Sequence, residues 1–224
     1  MSITVRSLLP KVKVFREDLE ESRAIYAIQE TVRKICRQTG YAQRVVTAST
    51  VALTPTVDLS SLVTNGAIYR VMLVRVYDAD MQSYKTLYEY NQTTIDNYEQ
   101  YRDYSTGVIT SWAYQGNSVI QLYPTPTDVS TLEVTVSYIP SGEIDTIPLP
   151  EEAEEAIIAG AMAMLLMQPG PGQNMGLAKD REVLYNREID FLKASALLGQ
   201  SGRARAVGKV FAARAVRSYD TRWL

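Results

Sequence analysis

Apolar positions along this chain change period twice, and the changes divide it. From about Glu17 to Thr39, Ile25, Ile28, Val32, Ile35 and Cys36 recur at three- and four-residue steps, the spacing of one helix face. Acids (Glu17, Asp18, Glu20, Glu21) come early and bases (Arg33, Lys34, Arg37) late, matching the helix dipole, and Gly40 is the expected stop. From Tyr41 to Ile147 the pattern becomes that of strands: an apolar run from Ile68 to Tyr77, then SVIQLYP, then Leu132, Val134, Val136 and Tyr138 alternating with Glu133, Thr135 and Ser137. Such alternation puts successive side chains on opposite sheet faces. Asn65-Gly66, Gly116-Asn117 and Pro124 to Asp128 separate the runs as turns, which suits antiparallel pairing.

The helical period then returns. The spacing predicts one helix from about Glu151 to Met167 and another from about Asn174 to Leu198, joined by QPGPGQ. In the second, Leu177, Leu184, Phe191 and Leu198 repeat every seven residues, flanked by Ala178, Tyr185, Ile189, Leu192 and Ala196, an apolar stripe that must pack on something. The first is rich in Ala, Gly160 and Met, which allows a close neighbour, and its methionines read as core filling. The expected fold class is α+β: a helical bundle of the N-terminal helix and the two C-terminal helices, with an inserted antiparallel β-domain and an extended C-terminal arm. Ile28, Val32, Ile35, Leu177, Leu184 and Phe191 are the expected bundle core. The boundaries fall at 1–41, 42–147, 148–198 and 199–224.

Composition narrows the chemistry. The 224 residues contain no histidine and one cysteine, with 46% hydrophobic residues and 21% charged, an ordinary globular balance. Lacking histidine, the chain has neither the usual general base near neutral pH, nor the common zinc ligand, nor the base of most Ser and Cys triads. Cys36 alone makes no intramolecular disulfide and suits a reducing compartment as a small core residue. Glu151, Glu152, Glu154 and Glu155 follow Pro148-Leu149-Pro150, where acids offset the positive end of a starting helix. No phosphate loop or dinucleotide fingerprint is present; the glycines of PGPG read as a turn. The chain is therefore expected not to be an enzyme and to need no cofactor or metal. No stretch approaches the ~18 apolar residues of a membrane span, and no signal pattern opens the chain, so a soluble cytosolic protein without membrane contact is expected.

Charge isolates the C-terminus. Residues 199–224 hold Arg203, Arg205, Lys209, Arg214, Arg217 and Arg222 against Asp220, formally +5, which leaves −7 on the rest of a chain that totals −2. As a helix, Val207, Val210 and Phe211 would share a side with Arg203 and Arg214, so no membrane-type face forms. As extended chain, Arg203, Arg205 and Lys209 fall on one side and Ala204, Ala206 and Val210 on the other, which suits a partner's sheet edge or groove. A solvated tail is the alternative, although Phe211, Tyr219 and Trp223 are scarce types in tails that only solvate.

The opening LLPKVKVF, a helix ending ICRQTG, strands with VIQLYPTP, the segment IPLPEEAEEAIIAGAMAMLLMQPG and a last helix beginning GLAKDREVLYNREIDFLKAS occur here in one order. Together, over roughly residues 8–198, they resemble the head-to-tail adaptor (connector, or head-completion) proteins of tailed bacteriophages. One departure is PGPGQNMG, where members often carry an aromatic residue before the last helix. The resemblance implies a homo-oligomeric ring, commonly dodecameric, in the virion neck, assembled in the host bacterial cytoplasm. It implies a portal protein above, a tail or neck protein below, and genomic DNA passing through a central channel without sequence-specific binding. In that setting Arg203, Arg205, Lys209, Arg214, Arg217 and Arg222 would meet acidic portal grooves, and Val207, Val210, Phe211 and Trp223 would anchor the arm.

Rival functions remain open from sequence. The arm could grip phosphates while Tyr84, Tyr88, Tyr90, Tyr98, Tyr101 and Tyr104 stack bases, though the acidic body opposes this. The same tyrosines could bind a glycan in a tail or baseplate component, although tyrosines between strands are more often half-buried sheet residues or subunit contacts. An acid-only enzyme would need two carboxylates converging in one cleft.

Overall fold

A computed structural model describes residues 3–14, 19–90, 106–170 and 173–194, and they form a mixed α+β structure. The first element, α1 (Val5–Lys13), was not expected, because Pro10 sits inside it. Proline there removes one backbone hydrogen bond. The helix is held by other means: Thr4 and Ser7 form a reciprocal capping box, and Val5, Leu8, Leu9 and Val12 bury one face. Val5 N–H donates to the Asp145 carbonyl at 3.0 Å and Ile147 N–H to that of Ile3 at 2.9 Å, so the chain start is tied to the segment leading into the later helices.

The next helix, α2 (Glu21–Thr39), starts four residues after the expected Glu17; Leu19 and Glu20 are not helical. Gly40 ends it as expected, at φ 63° with its N–H on the Cys36 carbonyl, a left-handed cap that glycine adopts without strain. Ala24, Ala27, Ile28, Val32, Ile35 and Cys36 are buried.

Among the described residues ten strands follow: β1 (Gln43–Ser49), β2 (Thr56–Asp58), β3 (Gly66–Asp78), β4 (Ser83–Thr86), β5 (Tyr88–Glu89), β6 (Thr106–Gly107), β7 (Ser111–Gly116), β8 (Val119–Tyr123), β9 (Thr125–Pro126) and β10 (Thr131–Pro140). They make sheets of order β1-β10-β3-β4 and β2-β8-β7-β5, plus the pair β6-β9. Both larger sheets bury one face in a shared cluster that includes Val46, Val74, Val134, Trp112, Ile120 and Leu122. β10 shows the alternation read from sequence, with Leu132, Val134 and Val136 buried. Pairing is mostly antiparallel as expected, but β5–β7 and β6–β9 are parallel. In β3 the register skips Met72 and then Tyr69 against β10. Each bulge resets which residues face inward, which is why Val71 and Val74, an odd number apart, are both buried. Gly116-Asn117 is the β7–β8 turn, with Asn117 and Ser118 at φ 50° and 64°, the left-handed pair a tight hairpin needs.

After a 3-10 turn (Glu151–Ala153), α3 (Glu154–Met167) is apolar nearly all round, as a helix covered on several sides must be. A further helix, α4, covers 175–194 of the described residues, capped by Asn174, whose Oδ1 accepts from Leu177 N–H at 3.0 Å. Side chains of α1, α2, α3 and α4 meet in a second apolar cluster. Of the expected core residues, Ile28, Val32 and Ile35 are fully buried. Leu177 and Leu184 are half-buried, and Phe191 is 58% exposed, against expectation. The inward residues of α4 are instead Ala178, Tyr185, Ile189 and Leu192, about one position round the helix from the heptad. A seven-residue stripe drifts ~20° per repeat on a 3.6-residue helix, so it walks off the core face by its third member.

Candidate assembly surfaces

Three surfaces follow from this architecture, and the acids that might have suggested chemistry belong to none of them. At the α3 start, Glu154 pairs with Lys11 of α1, so this carboxylate joins two helices. Among the described residues no group of three or more His, Cys, Asp or Glu could hold a metal ion. Cys36 is a buried free thiol, and burial pushes it from 9.0 up to about 12, which keeps it protonated and unreactive near neutral pH.

The first surface is a groove of about 350 Å³ between α2, α3 and α4. Gly160, Ala163, Met164 and Met167 of α3 form its apolar floor, and Arg33, Lys34 and Arg37 of α2 make its rim basic, with Glu30 and Glu182 also present. Tyr185 closes its base: the hydroxyl donates to Gln38 Oε1 at 2.9 Å and Lys34 Nζ lies 4.8 Å from the ring centroid. Burial raises that phenol from 10.0 to about 12. Gly160 permits this close approach, since a Cβ would meet Thr31 Cγ2 at 2.6 Å and Tyr185 Cδ2 at 2.8 Å. Arg33 also leaves the groove to bind the Pro140 and Gly142 carbonyls as well as Glu30. With Gln29 Nε2 donating to the Ile144 carbonyl at 3.4 Å, it fastens α2 to the segment after β10.

A second surface is the aromatic edge of the β3–β4 hairpin and β5. Tyr77 and Tyr84 pack edge to face with centroids 5.3 Å apart. Tyr84, Tyr88 and Tyr90 are 40%, 71% and 46% exposed, while Tyr98, Tyr101 and Tyr104 lie outside the described residues. Tyr84 stands on the edge strand β4, Tyr88 on β5 and Tyr90 just after it, with Met81 also exposed, a composition typical of protein interfaces.

The third is the outer flank of α4, where Val183 and Phe191 stand in solvent. The arm residues Arg203, Arg205, Val207, Lys209, Val210, Phe211, Arg214, Arg217, Arg222 and Trp223 lie outside the described residues. The groove, by contrast, was missed in sequence, although Gly160 among alanines and the late bases of α2 were its signal. No helix among the described residues is long and apolar enough to cross a membrane.

Residues 3–210 match the sequence model of a family described as the SU10 adaptor protein. The match covers nearly the whole chain, and the chain belongs to this family of bacteriophage adaptor proteins, structural components of the virion. No curated protein matches the chain. The family match reaches past α4 through Arg203, Arg205, Val207, Lys209 and Val210, and stops before Phe211.

Proposed function

We propose that this chain is a head-to-tail adaptor that assembles as a ring, most simply a dodecamer, beneath the portal and continues the DNA channel to the tail. Family membership over residues 3–210 carries the reading. Residues 1–41 and 148–198 build the ring wall as a helical bundle, and residues 42–147 form an inserted β unit facing outward or tailward. Residues 199–224 reach up to the portal. The formal −7 of residues 1–198 supports a channel role, because an acidic lining lets a polyanion slide where a basic one would hold it. The arm's +5 and its Phe211 and Trp223 suit acidic portal grooves with apolar floors. The protein works by assembly, without catalytic turnover, between the portal and a tail or neck protein, and is built into virions in the host cytoplasm.

The test is a pull-down of intact chain and a 1–199 truncation against portal and against duplex DNA across a salt series. Intact chain should retain portal at moderate salt, since apolar burial is not screened, and the truncation should lose it. Capture of DNA alone, with a steep salt slope, would overturn the assignment.

A further inference from the structure

The β portion presents two unlike flanks. Its larger sheets have the orders β1-β10-β3-β4 and β2-β8-β7-β5. Residues 50–55 carry the chain from β1 to β2, and Leu87 alone carries it from β4 to β5. One flank is therefore edged by β1 and β2, and the opposite one by β4 and β5. Aliphatic side chains stand out on the first: Val45 on β1, then Val51 and Leu53 in the loop that leaves it, each more than half exposed. That loop is held in shape, with Thr50 N–H on the Ser130 carbonyl at 2.9 Å and Leu53 N–H on that of Pro126 at 2.8 Å. On the second flank the exposed residues are Met81, Tyr84, Tyr88 and Tyr90. None of these side chains belongs to the subunit's own apolar clusters.

Both outer edges of the first sheet are open. Among the described residues no backbone hydrogen bond joins Gln43–Ser49 to anything but β10, or Ser83–Thr86 to anything but β3. Seven residues without proline, charged only at Arg44, make β1 a template for a further strand. Its direction suits a second copy. β1, β10, β3 and β4 are successively antiparallel, so β1 and β4 run opposite ways. A copy carried round an axis along the strands brings its β1 antiparallel to its neighbour's β4, and a contact between two different surfaces repeats until it closes.

Rows across the sheet set the register. Thr47, Glu133, Arg75 and Thr86 form one row, and Ala48, Leu132, Val76 and Lys85 the next. A neighbour at equal height sets its Thr47 beside Thr86, a favourable cross-strand pair, and its Ala48 beside Lys85, whose amine keeps room to reach solvent. Val51 and Leu53 lie past Ser49, and Met81 past Tyr84, at the same end of the sheet.

We propose that β4 of one copy adds to the open edge of β1 in the next, with Met81 and Tyr84 covering Val51 and Leu53. The contact rests on the ring reading for its closure. The chain's own arm is a poorer partner for β1, which offers its six cations Arg44 and no acid.

Cysteine cross-linking of the full-length chain tests this. The native Cys36 is buried and protonated, so engineered thiols report alone. Thr47→Cys with Thr86→Cys should give a ladder of dimers, trimers and higher species under mild oxidation on a non-reducing gel. Each single variant should give none. Val51→Cys with Tyr84→Cys reads the same contact at its apolar end, and deleting residues 200–224 should leave both ladders intact. Dimers from Thr86→Cys or Thr47→Cys alone would mean a two-fold contact, and a ladder lost with the arm would place the arm on the edge; either refutes the proposal. Wild-type rings seen by mass photometry without a ladder from either pair would refute it and leave the ring standing. A wild-type chain that stays monomeric alone and with portal, without a ladder, would remove both.

Discussion

Replacing Gly160 with alanine tests what sets the spacing of α2, α3 and α4. The added Cβ would lie 2.6 Å from Thr31 Cγ2 and 2.8 Å from Tyr185 Cδ2, about 1 Å inside ordinary carbon contact. Neither neighbour is free to turn away. Thr31 Oγ1 donates to the Ala27 carbonyl at 2.8 Å, and the Tyr185 hydroxyl to Gln38 at 2.9 Å. Relief requires α2 and α4 to back away from α3, and overpacking of this kind costs ~1–3 kcal/mol. Alanine returns ~1 kcal/mol of helix propensity over glycine, so the net loss should be ~0–2 kcal/mol, and larger for Gly160→Val. Urea unfolding followed by far-UV circular dichroism measures it. Thr31→Ser removes the nearer clashing methyl, so in the Gly160→Ala background it should recover part of the loss, with a coupling of at least ~0.5 kcal/mol. A Gly160→Ala protein stabilised by the full propensity gain, or one with no coupling to Thr31→Ser, would refute the reasoning.

Other outcomes follow from the same geometry. Leu192→Ala should cost ~2–5 kcal/mol by emptying a core site, whereas Phe191→Ala in the isolated subunit should stay within ~0.5 kcal/mol; chemical denaturation separates them. Burial raises Cys36 and Tyr185 to about 12 from 9.0 and 10.0, so the unfolded chain ionises first. The stability they carry is complete below pH 9 and is lost as pH rises toward 12. Melting temperatures should therefore fall across that window, less steeply for Cys36→Ala. Arg33→Ala should cost ~1–3 kcal/mol and speed hydrogen exchange in residues 140–144, because the guanidinium holds the Pro140 and Gly142 carbonyls.

Legibility in the sequence tracked how local each determinant was. Gly40, the β10 alternation and the Asn117 turn were readable because cap, pleat and hairpin are each fixed within a few residues. α1 was hidden because Pro10 argues against a helix; its Thr4–Ser7 cap is local, but the rest of its support, at Asp145 and Glu154, lies far along the chain. The two bulges of β3 answer to β10, and an apolar run carries no mark of where parity resets. The α4 heptad gave the right helix and the wrong inward residue at Phe191, since the stripe itself does not say which flank faces the subunit's own core. The groove needed three helices in place before Gly160 and Lys34 could be seen to share it.

Gln43 and Ser137 are register partners on neighbouring strands, so the chain enters and leaves its β portion side by side. Partners in an antiparallel pair stand only ~5 Å apart, a gap that a two-residue turn can close. The two crossings make one narrow neck, beside Gly40, Arg33 and the 140–144 segment. The strands and the helices around Gly160 keep separate apolar clusters, and Tyr138, packed against both, bridges them at that neck.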